Sequence, residues 1–363
     1  MPPQNLYLHY PYCASKCRHC HFSSLPIVPS PSYAANILRE WKLRIPDSDS
    51  AFKTIYLGGG SPALLPVVEW RKILAHFPLA PAAEITLEVN PELELQLNWE
   101  MLQANGINRA VLGVQSWHDG ELALLGRRAN TEMIYNAWDD LVRRGPKNRG
   151  IDLIYALPEQ TLERWLESLR ITLELEPQHI SLYELDLAGR SWQPTQPDEG
   201  TIAAMYETAH EMLTAAGYLH YEISNFAQPG YYARHNCSVW AGEDYIGLGA
   251  GAHGRLGHRR YANAAFPDCW ERMLADGSLP ESGVWQMTPL ETDVWDAILG
   301  LRTMWGISRE LWHKVAGDEF ESQLRAASLL TGDDHINLTL KGWLVSNHIF
   351  SELLDSNGIK PRL

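Results

Sequence analysis

Hydrophobic positions along this 363-residue chain follow two alternating rhythms. Short runs rich in β-branched, aliphatic and aromatic residues, at 6–9, 54–57, 84–89, 109–114, 151–155 and 180–185, have the length and bounding turns of strands. Between them lie stretches of helical period. Leu162, Trp165, Leu166, Leu169 and Leu173 fall at i, i+3, i+4, i+7 and i+11, one face of an amphipathic helix, and residues 33–43 suit a helix after a proline-rich link. Strand, turn and helix repeated about six times predict a parallel α/β architecture. Its polar and glycine-rich residues stand where the strands end, the side on which parallel α/β folds bind ligands.

The second half of the chain is less regular. Ile202, Met205, Ala209, Met212, Leu213 and Ala216 mark one more helical face, and 221–226, 235–240 and 247–253 read as short segments between turns. Residues 255–289 show little pattern and read as a linker. Beyond it, 292–304, 308–315 and 320–330 suit helices, and 337–344 a strand or turn before a last helix. The expected organisation is therefore a barrel-like region and its extension over 1–254, a linker over 255–289, and a small helical or winged-helix-like domain over 290–363.

A formal net charge of −14 argues against a nucleic-acid partner, whose counterions are displaced by basic surface. No apolar run approaches the roughly 18 residues of a membrane helix, and no signal peptide is visible. Five cysteines, three of them clustered, do not form a disulfide framework, so the chain reads as cytoplasmic and reduced. Most of the fourteen tryptophans belong to the core.

That cysteine cluster carries the chemistry. Cys13, Cys17 and Cys20 are spaced C-x3-C-x2-C just after the first strand, and three converging thiolates repel unless a cation holds them. Zinc with His19 or His21 as fourth ligand is one reading. An iron-sulfur cubane is the other: three thiolates on four irons leave one iron open to an exogenous ligand. The spacing resembles that of the radical S-adenosylmethionine (SAM) superfamily, whose open iron chelates the amino and carboxylate groups of SAM.

Other motifs extend the likeness. Tyr7 to Cys13 (YLHYPYC), Gly58-Gly59-Gly60-Ser61-Pro62, Glu84 to Pro91 (EITLEVNP), Gly113-Val114-Gln115-Ser116, Leu125-Gly126-Arg127 and Asp152 to Pro158 (DLIYALP) occur in order, followed by YEISNF at 221–226 and GLGAGAH at 247–253. As a set they resemble the family of oxygen-independent coproporphyrinogen III oxidases and HemW-type haem chaperones, through about residue 254 and more weakly at 338–342.

The resemblance implies a partial (β/α)6 TIM-like barrel of the radical SAM type, holding a [4Fe-4S] cluster on Cys13, Cys17 and Cys20. It places His19 against SAM, Gly59, Gly60 and Ser61 at the methionine part, Glu88 on the amino group, Arg127 on the carboxylate, Gln115 and Asp152 on the ribose, and Tyr7 near the cofactor. His235-Asn236-Cys237-Ser238-Val239-Trp240 is similar to the HNxxYW motif of the chaperone branch, with valine in place of tyrosine. It implies haem contacts at His235, Asn236 and Trp240.

Two activities follow from the resemblance. The first is haem chaperoning, with haem handed to acceptor proteins, those at the membrane surface included, and with a homodimer left open. The alternative is an enzyme that cleaves SAM to a radical and decarboxylates a tetrapyrrole propionate. Twelve residues precede Cys13, whereas those oxidases carry a longer amino-terminal segment, which favours the first.

Overall fold

A computed structural model describes residues 3–45, 51–189 and 192–360; the outer limits expected for the first and last regions, residues 1 and 363, lie outside it. Six strands, β1 (Asn5–Tyr10), β2 (Phe52–Gly59), β3 (Leu79–Val89), β4 (Arg109–Gln115), β5 (Asn148–Tyr155) and β6 (His179–Glu184), pair in sequence order and in parallel. Residues one apart point to opposite faces. Leu6, Ile55, Ile85, Leu112, Ile151 and Ile180 belong to the set facing the helices, and each is at most 1% exposed.

The other set is polar. Asn5, Tyr7 and His9 on β1, Thr54 and Tyr56 on β2, Glu84, Thr86 and Glu88 on β3, Arg109 on β4, Asp152 on β5 and His179 and Ser181 on β6 share this parity by register. The core against the helices is therefore apolar, and the concave interior is a hydrogen-bonding one. Crossover helices cover the outside. Those at Thr131–Arg144, Leu162–Glu174 and Glu199–Ala215 start on Asn130, Thr161 and Asp198, whose side chains accept from an amide of the first turn.

The sheet does not close on itself. It continues past β6 into the antiparallel pair β7 (Leu219–Glu222) and β8 (Asn225–Ala227), and past β1 into β9 (Tyr245–Leu248), β10 (His253–Leu256), β11 (Arg259–Asn263) and β12 (Glu281–Gln286). The alternation thus builds the partial barrel expected. Residues 255–289, expected as a patternless linker, hold most of this extension and a helix at Pro267–Ala275. Two causes hid them: β12 alternates half-buried with exposed residues along its whole length, and β10 and β11 contain Arg255, Arg259 and Arg260.

Glu40, fully buried on the helix Tyr33–Arg44, welds this extension to the barrel. Its carboxylate accepts from Arg44 Nη2 at 2.9 Å, Asn263 Nδ2 at 2.7 Å, Gly249 N at 2.9 Å and Trp270 Nε1 at 2.8 Å. Removing one member of such a set strands the others without partners. Glu40→Ala is expected to lower unfolding free energy by about 3–5 kcal/mol, measured by urea denaturation, and a loss under about 1 kcal/mol would show that the network does not hold the extension.

Residues 235–240, read as a segment between turns, form the helix Arg234–Trp240. Beyond Pro289, helices at Pro289–Leu301, Arg309–Val315, Asp318–Ala326, Leu340–Leu344 and Ser346–Ser356 surround three short antiparallel strands, Ile307–Ser308, His335–Leu338 and Leu330–Thr331. This is the helical, winged-helix-like arrangement expected. Arg302 ties it to β7 through an ion pair to buried Glu222 at 2.5 Å.

Candidate functional site

The cysteine loop leaves β1 at Pro11 and is held at several points. Cys13 N donates to Leu25 O at 3.0 Å and Leu25 N to Pro11 O at 2.8 Å, while Arg18 N donates to Leu125 O at 2.9 Å. The His21 imidazole bonds the Asp186 carbonyl at 3.0 Å, which ties the loop to the segment after β6. Packing against the glycine turn is closer still: a Cβ on Gly60 would stand 2.5 Å from Tyr12 O and 3.0 Å from Cys13 Sγ. Only glycine admits that approach.

Loop and strand ends enclose a cavity of about 300 Å³ at the carboxyl end of the barrel. Cys13, Cys17, Cys20, His19, Gly59, Gly60, Ser61, Glu88, Gln115, Arg127 and Asp152 all line it. Of the residues expected at SAM, only Tyr7 stands back from the wall; its hydroxyl bonds His9 Nδ1 at 2.9 Å and its ring lies 6.1 Å from that of Tyr56.

The three thiols are half-buried, and none is in a disulfide. Cys13 Sγ accepts from Ser61 Oγ at 3.6 Å, Cys17 Sγ from Arg127 Nη1 at 3.8 Å and Cys20 Sγ from Lys16 Nζ at 3.8 Å. Burial pushes the Cys17 thiol up, opposed by the Arg127 guanidinium. Among the described residues no three His, Cys, Asp or Glu side chains converge as they would on one metal ion. A cubane asks for less convergence, because each thiolate bonds a different iron.

On the opposite wall Glu88 accepts from Tyr56 Oη at 2.8 Å and Gly59 N at 3.3 Å. Burial raises its carboxyl to about 7 and that of Asp152 to about 6; Tyr56 opposes the shift in Glu88, and Ser181 and Arg109 oppose it in Asp152. Asp152 Oδ1 and Arg127 Nε are buried without a hydrogen-bond partner. Asp152 Oδ1 lacks a donor such as a hydroxyl and Arg127 Nε an acceptor such as a carboxylate, so with the Glu88 carboxyl beside them the donor set fits a cluster with a zwitterionic nucleoside next to it.

Gln115 reaches the cavity through a local irregularity. Its φ is +71° and the β4–β5 register shifts between Gly113 and Gln115, which re-aims the side chain at a cost of roughly 1–3 kcal/mol. Sequence reasoning missed Lys16, Tyr56, Asn90 and Glu92. Asn90 donates to Ser61 Oγ at 2.7 Å, and Glu92 lies 3.8 Å from Arg127 Nη2. The Asn90-Pro91 end of a strand was the available signal for both.

The residues expected at haem lie elsewhere. His235 is 4% exposed, at the amino end of the barrel opposite the cavity. Its Nδ1 bonds Thr54 Oγ1 at 2.9 Å, its amide donates to Glu84 Oε1 at 3.2 Å, and burial pushes the imidazole down to about 3. Haem iron reaches this ring only if the helix Arg234–Trp240 moves. Asn236 and Trp240 on the same helix are half-buried.

Comparison with known proteins agrees with this geometry. The sequence model of the Radical SAM superfamily matches residues 7–171. The chain is 37% identical over 273 residues to the heme chaperone HemW of Escherichia coli (strain K12), covering 70% of this chain and 71% of the relative. To the heme chaperone HemW of Lactococcus lactis subsp. lactis (strain IL1403) it is 29% identical over 379 residues, covering 97% of each. Among solved structures, the Escherichia coli coproporphyrinogen III oxidase HemN, a radical SAM enzyme, superposes with a TM-score of 0.81 at 22% identity, covering 97% of this chain and 90% of that one; at that identity the likeness establishes the fold. Barrel and three-cysteine mouth are those of the radical SAM superfamily. Within it, the chain belongs to the HemW haem chaperone family.

Proposed function

We propose that this chain is a haem chaperone that binds a [4Fe-4S] cluster on Cys13, Cys17 and Cys20, SAM beside it, and haem as cargo for acceptor proteins, those at the membrane surface included. The observation that carries the reading is the meeting of eleven expected residues from five consecutive strands and the segments that follow them in one cavity, in a chain whose relatives are named haem chaperones. Cysteines outside any disulfide suit a reduced cytoplasmic setting, and among the described residues no helix is long and apolar enough to cross a membrane.

When bound, the cluster would be held by Cys13, Cys17 and Cys20 and would supply an open iron as Lewis acid and electron source at the methionine end of SAM. The chain does the rest. Glu88 takes the ammonium, Arg127 the carboxylate through its planar fork, and Asp152 and Gln115 the ribose hydroxyls. Gly59, Gly60 and Ser61 let the backbone approach the methionine part, with His19 against SAM and Tyr7 buttressing Tyr56 from behind. Asn236 and Trp240 are the haem-facing residues of their helix, whereas His235 belongs to the core.

Haem titration of the reconstituted protein followed by the Soret band, then transfer to an apo-haemoprotein, tests the function. Transfer without coproporphyrinogen turnover is the expected result; turnover with SAM and a reductant, without transfer, would replace the chaperone by a decarboxylase. His235→Ala is expected to leave the Soret position of bound haem unchanged, and Trp240→Ala to weaken haem binding.

SAM affinity should depend on pH with a definite sign. Glu88 is ionised above about 7, and only the carboxylate pairs with an ammonium. The dissociation constant is expected to rise roughly fivefold from pH 7 to 6 and roughly tenfold more from 6 to 5, steepening as Asp152 also protonates below about 6. Calorimetric titration across that range checks it, and a flat profile would remove Glu88 from the ammonium.

A further inference from the structure

Among the described residues the thiols at the mouth receive side-chain donors from different parts of the chain, Ser61 on Cys13, Arg127 on Cys17 and Lys16 on Cys20, and the last two are cations. Arg127 has other duties. It donates to Gly113 O at 2.9 Å, lies 3.8 Å from Glu92 and faces the place proposed for the SAM carboxylate. Lys16 is different. Although the residue is exposed, its ammonium is anchored within the loop by the Phe22 carbonyl at 2.6 Å and Ser24 Oγ at 3.1 Å, and those two contacts aim it at Cys20 Sγ, 3.8 Å away.

Charge bookkeeping gives this arrangement a consequence. Three thiolates on an oxidised [4Fe-4S]2+ core sum to −1; one electron from an external reductant gives [4Fe-4S]1+ and a total of −2, with no bond formed or broken. Adding negative charge in a partly desolvated mouth is unfavourable, and hydrogen bonds and net charge at the sulfurs set the potential of such clusters. A cation held at one sulfur favours the reduced form.

We propose that Lys16 is a redox-positioning residue whose anchored ammonium at Cys20 raises the reduction potential of the cluster. The proposal rests on the cluster reading above. It assigns to the loop a second task besides ligation: to keep a positive charge against one ligand sulfur whether or not SAM occupies the cavity.

The test is an anaerobic dithionite titration of the reconstituted full chain, following the paramagnetic signal of the reduced cluster in wild type, K16M, K16Q, K16R and S24A. K16M and K16Q are expected to reduce with an equilibrium constant at least tenfold lower, a shift of about 59 mV to more negative potential for one electron. K16R, which keeps the charge, is expected to stay close to wild type, and S24A, which keeps the lysine but removes one of its two anchors, to fall between wild type and K16M. Wild-type potential in fully loaded K16M and K16Q would overturn the proposal, and so would an equal fall in K16R, which would assign the effect to loop geometry. Should K16M fail to take up iron, K16Q against K16R decides. Wild-type protein lacking iron and sulfide would instead overturn the cluster reading itself.

Discussion

Cys17→Ser is expected to give colourless protein after anaerobic reconstitution, with iron and sulfide near zero, and Cys13→Ser and Cys20→Ser to behave alike. A cubane on three thiolates has no protein ligand to spare, and serine, whose hydroxyl stays protonated, does not replace a thiolate. Cys17 is a demanding position. Burial works against its ionisation, and the Arg127 guanidinium at 3.8 Å works for it. Cys237 and Cys269 lie outside the cavity, so serine at either should leave the iron content at the wild-type value. Metal analysis with visible spectra reads all five variants. Colourless wild-type protein with one zinc per chain would replace the cluster by a zinc site and take the SAM proposal with it.

Glu88→Gln is expected to weaken SAM binding at pH 8 by at least roughly thirtyfold, since removing one member of a buried charge pair costs about 2–5 kcal/mol. The amide keeps the shape and can still accept from Tyr56, but it has no charge for the ammonium and turns its own donors toward it. The same substitution should stabilise the empty protein. Burial raises Glu88 from 4.5 to about 7, so the folded chain holds this proton more tightly than the unfolded one. Stability from that group is present below the unfolded value and is lost as pH rises through the folded one. Above pH 7 the buried carboxylate therefore costs up to about 3 kcal/mol, which Gln avoids. Thermal unfolding should show the variant above wild type at pH 8, with the gap closing toward pH 5. A variant less stable than wild type at both ends would contradict this account of the site.

The two effects have one origin. Glu88 and Asp152 sit in the barrel interior because their strand positions share parity with Tyr56 and Ser181, and desolvation there disfavours the ionised acid. Altered acidity of this kind is common where a fold carries a binding site.

What the residues alone determined is local. Six strand-helix repeats, the three-thiol spacing, the glycine turn and the acids ending β3 and entering β5 were legible because backbone propensity, side-chain period and motif order act within a few residues or one connection. Tertiary structure decided the rest. A polar side chain facing a concave interior has the same sequence signature as one facing water, so neither the partial burial of Glu88 and full burial of Arg109 and His235 nor their altered acidity was visible beforehand. Residues 255–289 form sheet and helix packed on the barrel, where Glu40, far away in the chain, supplies the carboxylate that Arg44, Asn263, Gly249 and Trp270 share. Pairings over such separations depend on where the whole backbone brings two segments, and no short window of sequence contains that information.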